Sequence, residues 1–288
     1  MMSEKISSET FDDLGDRMKA MEMAEAGRAM MVGLPVIARL DGRAFHTFTR
    51  KFKRPFDPQM GNAMQDVTQE LVEEFHPAVG YTQSDEITLI WKAPTLFSGR
   101  FQKLTSVLAG YASSRFGQIA ATMANLVDSR WPKHIVPCFD CRVFQVPSLD
   151  IAIDVLAWRE YDAVKNSVSM AAQAVYSHKE LHKKGRADQM DMLHAKGINW
   201  NDYPVHFKRG RYFQRKTMET YLTVQELARI PLEHRPTGPV LRSFVIPVKE
   251  LDEQPIRRLG TIKALGVLFP VDPAEATHDS SPSSSSGN

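Results

Sequence analysis

Apolar residues recur along this chain with two periods, and the switches between them mark out its elements. Phe11, Leu14, Met18 and Met21 return at helical spacing behind Thr10, a residue suited to capping a helix N-terminus, with Gly27 and Gly33 bracketing the end. The short apolar run 35–40, held between Gly33-Leu34 and Asp41-Gly42, predicts a buried strand. Met64, Val67, Leu71, Val72 and Phe75 form a second helical stripe that His76-Pro77 stops. Residues 79–83 and 87–91 are strand-like and flank the polar triplet Ser84-Asp85-Glu86, which predicts a hairpin. A long helix rich in small residues is expected over 104–124, then a strand over 140–146 ended by Pro147. Residues 166–182 read as helix, and 204–216 and 240–248 as extended.

Strand, helix, two strands, helix, strand is the order of a ferredoxin-like split unit. The expected fold is therefore α+β, an antiparallel sheet backed by helices, with a C-terminal α/β extension. The expected organisation is a first part, 1–150, carrying the N-terminal helix and the split unit, and a second part, 151–274. Residues 275–288, ending in Ser-Ser-Pro-Ser-Ser-Ser-Ser-Gly-Asn, have nothing to bury and are expected to be a disordered tail.

Composition narrows the class. With 43% hydrophobic and 24% charged residues, the 288-residue chain has the balance of a globular protein. No apolar run is long enough for a membrane span, so no membrane partner is expected. Residues 1–13 lack the apolar core of a secretory signal, and two cysteines are too few for a disulfide framework, so the cytoplasm is the expected compartment. A net charge of +2 excludes a polycation and leaves room for a local basic track.

Candidate chemistry concentrates at the predicted strand ends. The first strand runs into Asp41 and the hairpin turn presents Asp85 and Glu86; in a ferredoxin-like sheet these meet at one edge. Two carboxylates and a backbone carbonyl make a hard oxygen site suited to Mg²⁺ and phosphoryl transfer. Gly42 permits close approach of a phosphate or metal. By pattern alone, Asp41-Gly42 as a plain turn and Ser84-Asp85-Glu86 as a plain hairpin loop are the favoured reading, because Asp and Gly dominate turns.

Arg39-Leu40-Asp41-Gly42-Arg43-Ala44-Phe45-His46-Thr47-Phe48-Thr49 resembles the RxDGRxFHxFT signature of the tRNA-His guanylyltransferase family, and Gln83-Ser84-Asp85-Glu86 resembles that family's second acidic motif. Segments 99–104, 139–144, 158–162, 197–201 and 208–210 resemble later family stretches in the right order, so the likeness runs from about Leu14 to Gly210. The resemblance implies a palm-like core that adds nucleotides to tRNA 5′ ends in the 3′-to-5′ direction, with ATP and GTP as substrates and a homotetrameric assembly. By carry-over, Asp41, the Gly42 carbonyl and Asp85 would hold two Mg²⁺ ions with support from Glu86. Asp41, Gly42, Arg43, Ala44, Phe45, His46, Ser84 and Asp85 would line the nucleotide pocket, and Arg54 would meet the triphosphate. Where eukaryotic members carry HINNLYN, this chain has Val164 to Met170, in which only Asn166 matches. That departure resembles the guanylyltransferase-like branch, whose members copy a template to repair 5′-truncated tRNAs.

Two basic stretches complete the reading. Arg50, Lys51, Lys53 and Arg54 follow the first motif, and Arg100 and Lys103 stand one helical turn apart, within reach of a nucleotide or a tRNA end. Lys208, Arg209, Arg211 and Arg215 alternate with Phe207, Tyr212 and Phe213; cations on phosphates and rings on unpaired bases would bind tRNA there, while the rings alone would equally serve a core strand. Cys138 and Cys141 have CxxC spacing without a second pair and read as reduced thiols. The alternatives kept alongside are a nucleotide cyclase on a palm-like fold and a non-catalytic tRNA-binding protein.

Overall fold

In the computed structural model, which describes residues 10–94, 96–126 and 130–270, six strands form one sheet. They are β1 (Val36–Gly42), β2 (Val79–Gln83), β3 (Glu86–Trp91), β4 (Phe139–Gln145), β5 (Arg211–Thr220) and β6 (Val240–Pro247). Their spatial order is β4-β1-β3-β2-β5-β6, with every neighbouring pair antiparallel. The first four reproduce the expected split unit, in which each helical crossover skips one strand. The last third of the chain adds β5 and β6 beyond β2 in that same sheet. The Ser-rich segment 275–288 lies outside the described residues.

Helices cover both faces of the sheet. Val36, Ala38 and Leu40 of β1, with Ile87, Leu89 and Trp91 of β3, pack on helices Pro58–Phe75 and Phe101–Leu126. Ile37 and Ile90 point the other way, toward helix Leu149–Gln173 and the C-terminal helix Thr261–Leu268. Period-2 alternation along β1 thus feeds two cores, which is why its run reads as continuously apolar. The stripe Met64, Val67, Leu71, Val72 and Phe75 is buried as its spacing predicts. Asp57 caps that helix by accepting from the Gln59 N–H at 2.9 Å, and His76, in a left-handed conformation, ends it.

Two expectations need correction. Helix Phe11–Ala26 forms, and Thr10 caps it by accepting from the Asp13 N–H, but Met18 and Met21 are exposed rather than facing the core. Residues 204–216 are not extended throughout: Val205–Arg209 is a helical turn, and only from Arg211 does the chain enter β5. Gly210 joins the two at φ 80°, where a Cβ would fall 2.6 Å from the Thr82 carbonyl oxygen. Among the described residues no helix is long and apolar enough to cross a membrane.

Candidate active site

Sheet register brings the acids together. Asp41, near the end of β1, stands directly opposite Glu86 on β3 and opposite Asp140 on β4. Paired residues in a sheet project to the same face, so Glu86, Asp41 and Asp140 form a row across three strands, on the side that helix Leu149–Gln173 covers. Asp85 comes in from the hairpin turn, where Ser84 adopts φ 53°. The Gly42 N–H donates to the Asp85 carbonyl at 3.0 Å, and the Arg43 N–H to the Cys138 carbonyl at 2.8 Å, which ties the turn and the start of β4 to the β1 end.

The first motif divides its labour. Phe45 and Phe48 are buried against Phe116, with Phe45 also on Phe139 and Phe48 on Trp131, all at centroid distances of 5–6 Å. Those rings anchor the turn after β1 to helix Phe101–Leu126. At Gly42 a Cβ would sit 2.5 Å from the Phe45 ring, so only glycine lets the ring pass beneath the backbone. Asp41, Gly42 and His46 are left on the wall of a cavity of about 490 Å³.

Asp41, Gly42, Ala44, Phe45, His46, Ser84, Asp85 and Arg54 all line that cavity, together with Lys53. A second cavity of about 310 Å³ lies toward helix Leu149–Gln173, with Glu86, Arg159, Asn166 and Gln173 on its wall. Asp41, Gln83, Ser84, Asp85 and Met170 belong to both, so the two aspartates stand at a seam between cavities.

Burial raises the Asp85 pKa above the ordinary carboxylate value, and the nearby Asp41 charge raises it further; the Ser84 hydroxyl, a backbone N–H and His46 oppose both. A divalent cation between Asp41 and Asp85 would relieve that repulsion. The available donors, two carboxylates and the Gly42 carbonyl, are all oxygen and fit Mg²⁺. Among the described residues no three or more His, Cys, Asp or Glu side chains gather closely enough to hold a metal by themselves. Glu86 is differently placed: burial raises its pKa, and Arg159 opposes that shift through a fork of 2.6 and 2.9 Å.

Other predicted residues lie away from this seam. Arg43 is exposed and lines neither cavity. Arg100 and Lys103 flank the start of helix Phe101–Leu126; the Arg100 Nε donates to the Phe97 carbonyl at 3.1 Å, and Lys103 lies over the Phe97 ring. Lys208 donates to the Asn201 carbonyl, and Arg215 to the Glu73 carbonyl. Arg209 turns inward to Glu160 at 3.2 Å and the Asp252 carbonyl at 2.8 Å, and Arg211 donates to Gln65 at 2.9 Å. Phe207, Tyr212 and Phe213 are buried, so of the two readings left open the core role is the one the fold uses. Each is needed in the apolar layers: Phe207 stacks on Phe56 at 4.8 Å, Tyr212 packs on Tyr81, and Phe213 lies in the core under helix Pro58–Phe75.

Sequence reasoning missed Asp140, Arg159, Gln65, His206 and Met170. Asp140 and Arg159 sit within segments that carry the family likeness, so their residue types were visible, but only register and helix placement show which acids they meet. Burial leaves Cys141 a poor nucleophile, with its thiol pushed up to about 12 by desolvation and by Asp140. Both cysteines are free.

Comparison with known proteins gives this arrangement its context. A family model described as tRNA-His guanylyltransferase matches residues 15–147. The tRNA(His) guanylyltransferase of Schizosaccharomyces pombe is 28% identical over 205 residues, covering 64% of this chain and 74% of the relative. A probable tRNA(His) guanylyltransferase of Drosophila melanogaster is 27% identical over 215 residues, covering 69% and 73%. A bacterial tRNA(His) guanylyltransferase-like protein, solved in complex with ATP, superposes with a TM-score of 0.69 at 28% identity over 88% of this chain and 98% of that one. The Saccharomyces cerevisiae enzyme, at 24% identity and a TM-score of 0.58 over 64% of this chain and 87% of that one, shares the fold. With both acidic motifs at the cavity seam and these relatives spanning most of its length, the chain is similar to the tRNA(His) guanylyltransferase family in sequence and fold.

Proposed function

We propose that this protein is an Mg²⁺-dependent tRNA nucleotidyltransferase that extends tRNA 5′ ends in the 3′-to-5′ direction, using ATP or GTP as activating nucleotide and nucleoside triphosphates as building blocks. The observation that carries the reading is the pair Asp41 and Asp85 shared by two adjoining cavities. A reaction that joins two phosphate-bearing substrates needs its acids between them. The larger cavity, with Lys53 and Arg54 on its wall, suits a nucleoside triphosphate; the smaller suits the tRNA end. Bacterial structural relatives have been solved in complex with ATP and with GTP, which supports a nucleoside triphosphate as one substrate.

Asp41, the Gly42 carbonyl and Asp85 would hold two Mg²⁺ ions, which supply charge neutralisation at the attacking and leaving oxygens. Lys53 and Arg54 compensate the triphosphate. Glu86, held by Arg159, supports the acid row from beside it. Templated repair of truncated tRNAs is favoured over addition of G to tRNA-His alone. Of the residues 164–170 that depart from HINNLYN, Ser169 lines the smaller cavity and Met170 both, beside the matching Asn166, so the departure reaches the substrate surface. A cytoplasmic homo-oligomer, a tetramer in the full reading, completes the proposal.

The test is extension of a 5′-labelled, 5′-truncated tRNA with each nucleoside triphosphate and Mg²⁺. Incorporation that follows the template base at every position is expected. Absence of extension from both 5′-mono- and 5′-triphosphate ends would sink the reading, and cyclic nucleotide release without RNA would replace it with a cyclase.

A further inference from the structure

Glu86 occupies an awkward place. It is the strand partner of Asp41 and the chain neighbour of Asp85, and its side chain is one methylene longer than theirs. A free carboxylate there would reach the same metal. Its two oxygens are instead both taken: the Arg159 Nε and Nη2 donate to them at 2.6 and 2.9 Å, while the Arg159 Nη1 donates to Asp162 at 2.8 Å. The Arg159 and Glu86 side chains are only 10% and 13% exposed.

The fork is itself held. Arg159 lies over the Trp158 ring at 4.4 Å, and Arg39 of β1 lies 5.5 Å from the same ring, so an exposed tryptophan links the helix to the acid-bearing strand. Helix Leu149–Gln173 does not need this ion pair to dock, because Ala152, Ile153 and Leu156 already seat it in the core. A buried ion pair contributes little net stability when its members can be replaced together, so its use here is in placing charge.

The geometry points to Arg159 as a positioning residue: its bidentate fork, braced by Trp158, draws Glu86 aside and leaves the cation to Asp41, Asp85 and the Gly42 carbonyl. This rests on the metal-site reading above. Released, Glu86 joins the set as a third carboxylate. The cation then binds more tightly, in a coordination shell that crowds the substrate oxygens, and turnover falls. Metal affinity and rate move in opposite directions, which simple loss of structure does not produce.

The experiment uses the full chain. Mg²⁺ binding is titrated by calorimetry without nucleotide, and tRNA extension is measured in parallel. Arg159→Gln is expected to tighten Mg²⁺ by about three- to tenfold and to lower kcat by about tenfold with little change in KM. Adding Glu86→Gln to Arg159→Gln returns the Mg²⁺ affinity toward wild type. Arg159→Lys keeps the charge without the fork and falls between. If Arg159→Gln does not fold, Trp158→Ala, at a half-exposed position, is expected to shift both quantities the same way by a smaller factor. Unchanged or weaker Mg²⁺ binding in these variants overturns the inference. Asp41→Ala separates the two levels: if it loses Mg²⁺ while Arg159→Gln binds as wild type, only the inference falls, and if Asp41→Ala still binds Mg²⁺, the metal-site reading falls and the inference with it.

Discussion

At the strand ends, Asp41, Gly42, Ser84 and Asp85 converge on a cavity wall, while along 206–216 the cations Arg209 and Arg211 turn inward and the rings Phe207, Tyr212 and Phe213 on either side of them fill the core. Both regions carry dense chemistry in the sequence, and the fold treats them in opposite ways. Asp41 stands near the end of β1 and Asp85 in the hairpin turn, so both side chains lie where the sheet gives way to the cavity. Arg209 and Arg211 stand at the start of β5, which pairs with β2 and β6, and each long side chain meets a carboxylate, an amide oxygen or a carbonyl already in place. A charge on a cavity wall is free to serve a ligand, whereas a charge turned inward answers first to its neighbours.

The largest effect that tests this contrast is loss of an acid. Asp41→Ala and Asp85→Ala are each expected to reduce tRNA extension by about a thousandfold or more while the thermal midpoint stays level or rises, because removing either carboxylate relieves the repulsion at Asp85. A coincident fall in midpoint would make these acids structural. The inward cation should behave in reverse. Arg209→Ala leaves Glu160 buried without its ion pair, which costs about 3–5 kcal/mol of stability by denaturant unfolding, with tRNA affinity of the remaining folded protein preserved. Lost affinity at full stability would return Arg209 to the RNA surface.

How far the sequence could be read follows the same line. Periodicity foretold the split unit because Leu40, Leu71 and Ile87 each sit where a helix or strand period demands an apolar side chain, and burial enforces that demand locally. The acids were legible because they sit in two motifs, 39–49 and 83–86, that resemble family signatures, where local turn pattern alone favoured a plain turn and loop. Register was not legible. Nothing local states that Asp140 faces Asp41, or that Arg159, in a helix far along the chain, closes on Glu86. The Tyr212 and Phe213 rings left two readings open because an aromatic beside an arginine looks alike in a binding face and in a strand that has a core on each side. Met18 and Met21 misled in the opposite sense, a helical stripe that finds no core within the described chain.

A pH experiment gives a smaller effect on the inward side. Burial raises the Glu160 pKa, against the Ile256 N–H, Arg209 and Tyr212, which lower it. A carboxyl whose folded value is raised binds protons more readily in the folded state, so its stabilisation is present below the unfolded value near 4.5 and is lost as pH rises through the folded value. The denaturant midpoint of the wild type should therefore decline from about pH 4.5 upward, with Asp85, Glu86 and Asp66 contributing in the same direction. Glu160→Gln should flatten that decline. An unchanged slope would assign the titration to the other acids.

The smallest effect comes at the far end of the basic segment, where the contrast is weakest. Lys216 is exposed on β5, past the point where the strand leaves the core. If the segment meets RNA anywhere, it does so here, through a phosphate and without reading bases. Lys216→Ala should then weaken tRNA binding only about two- to fourfold at moderate salt and lower the slope of log affinity against log salt by about one, leaving kcat unchanged. A slope equal to that of wild type would confine all of the chain's RNA contacts to surfaces other than 206–216, and the division between cavity-wall acids and inward-turned cations would be complete.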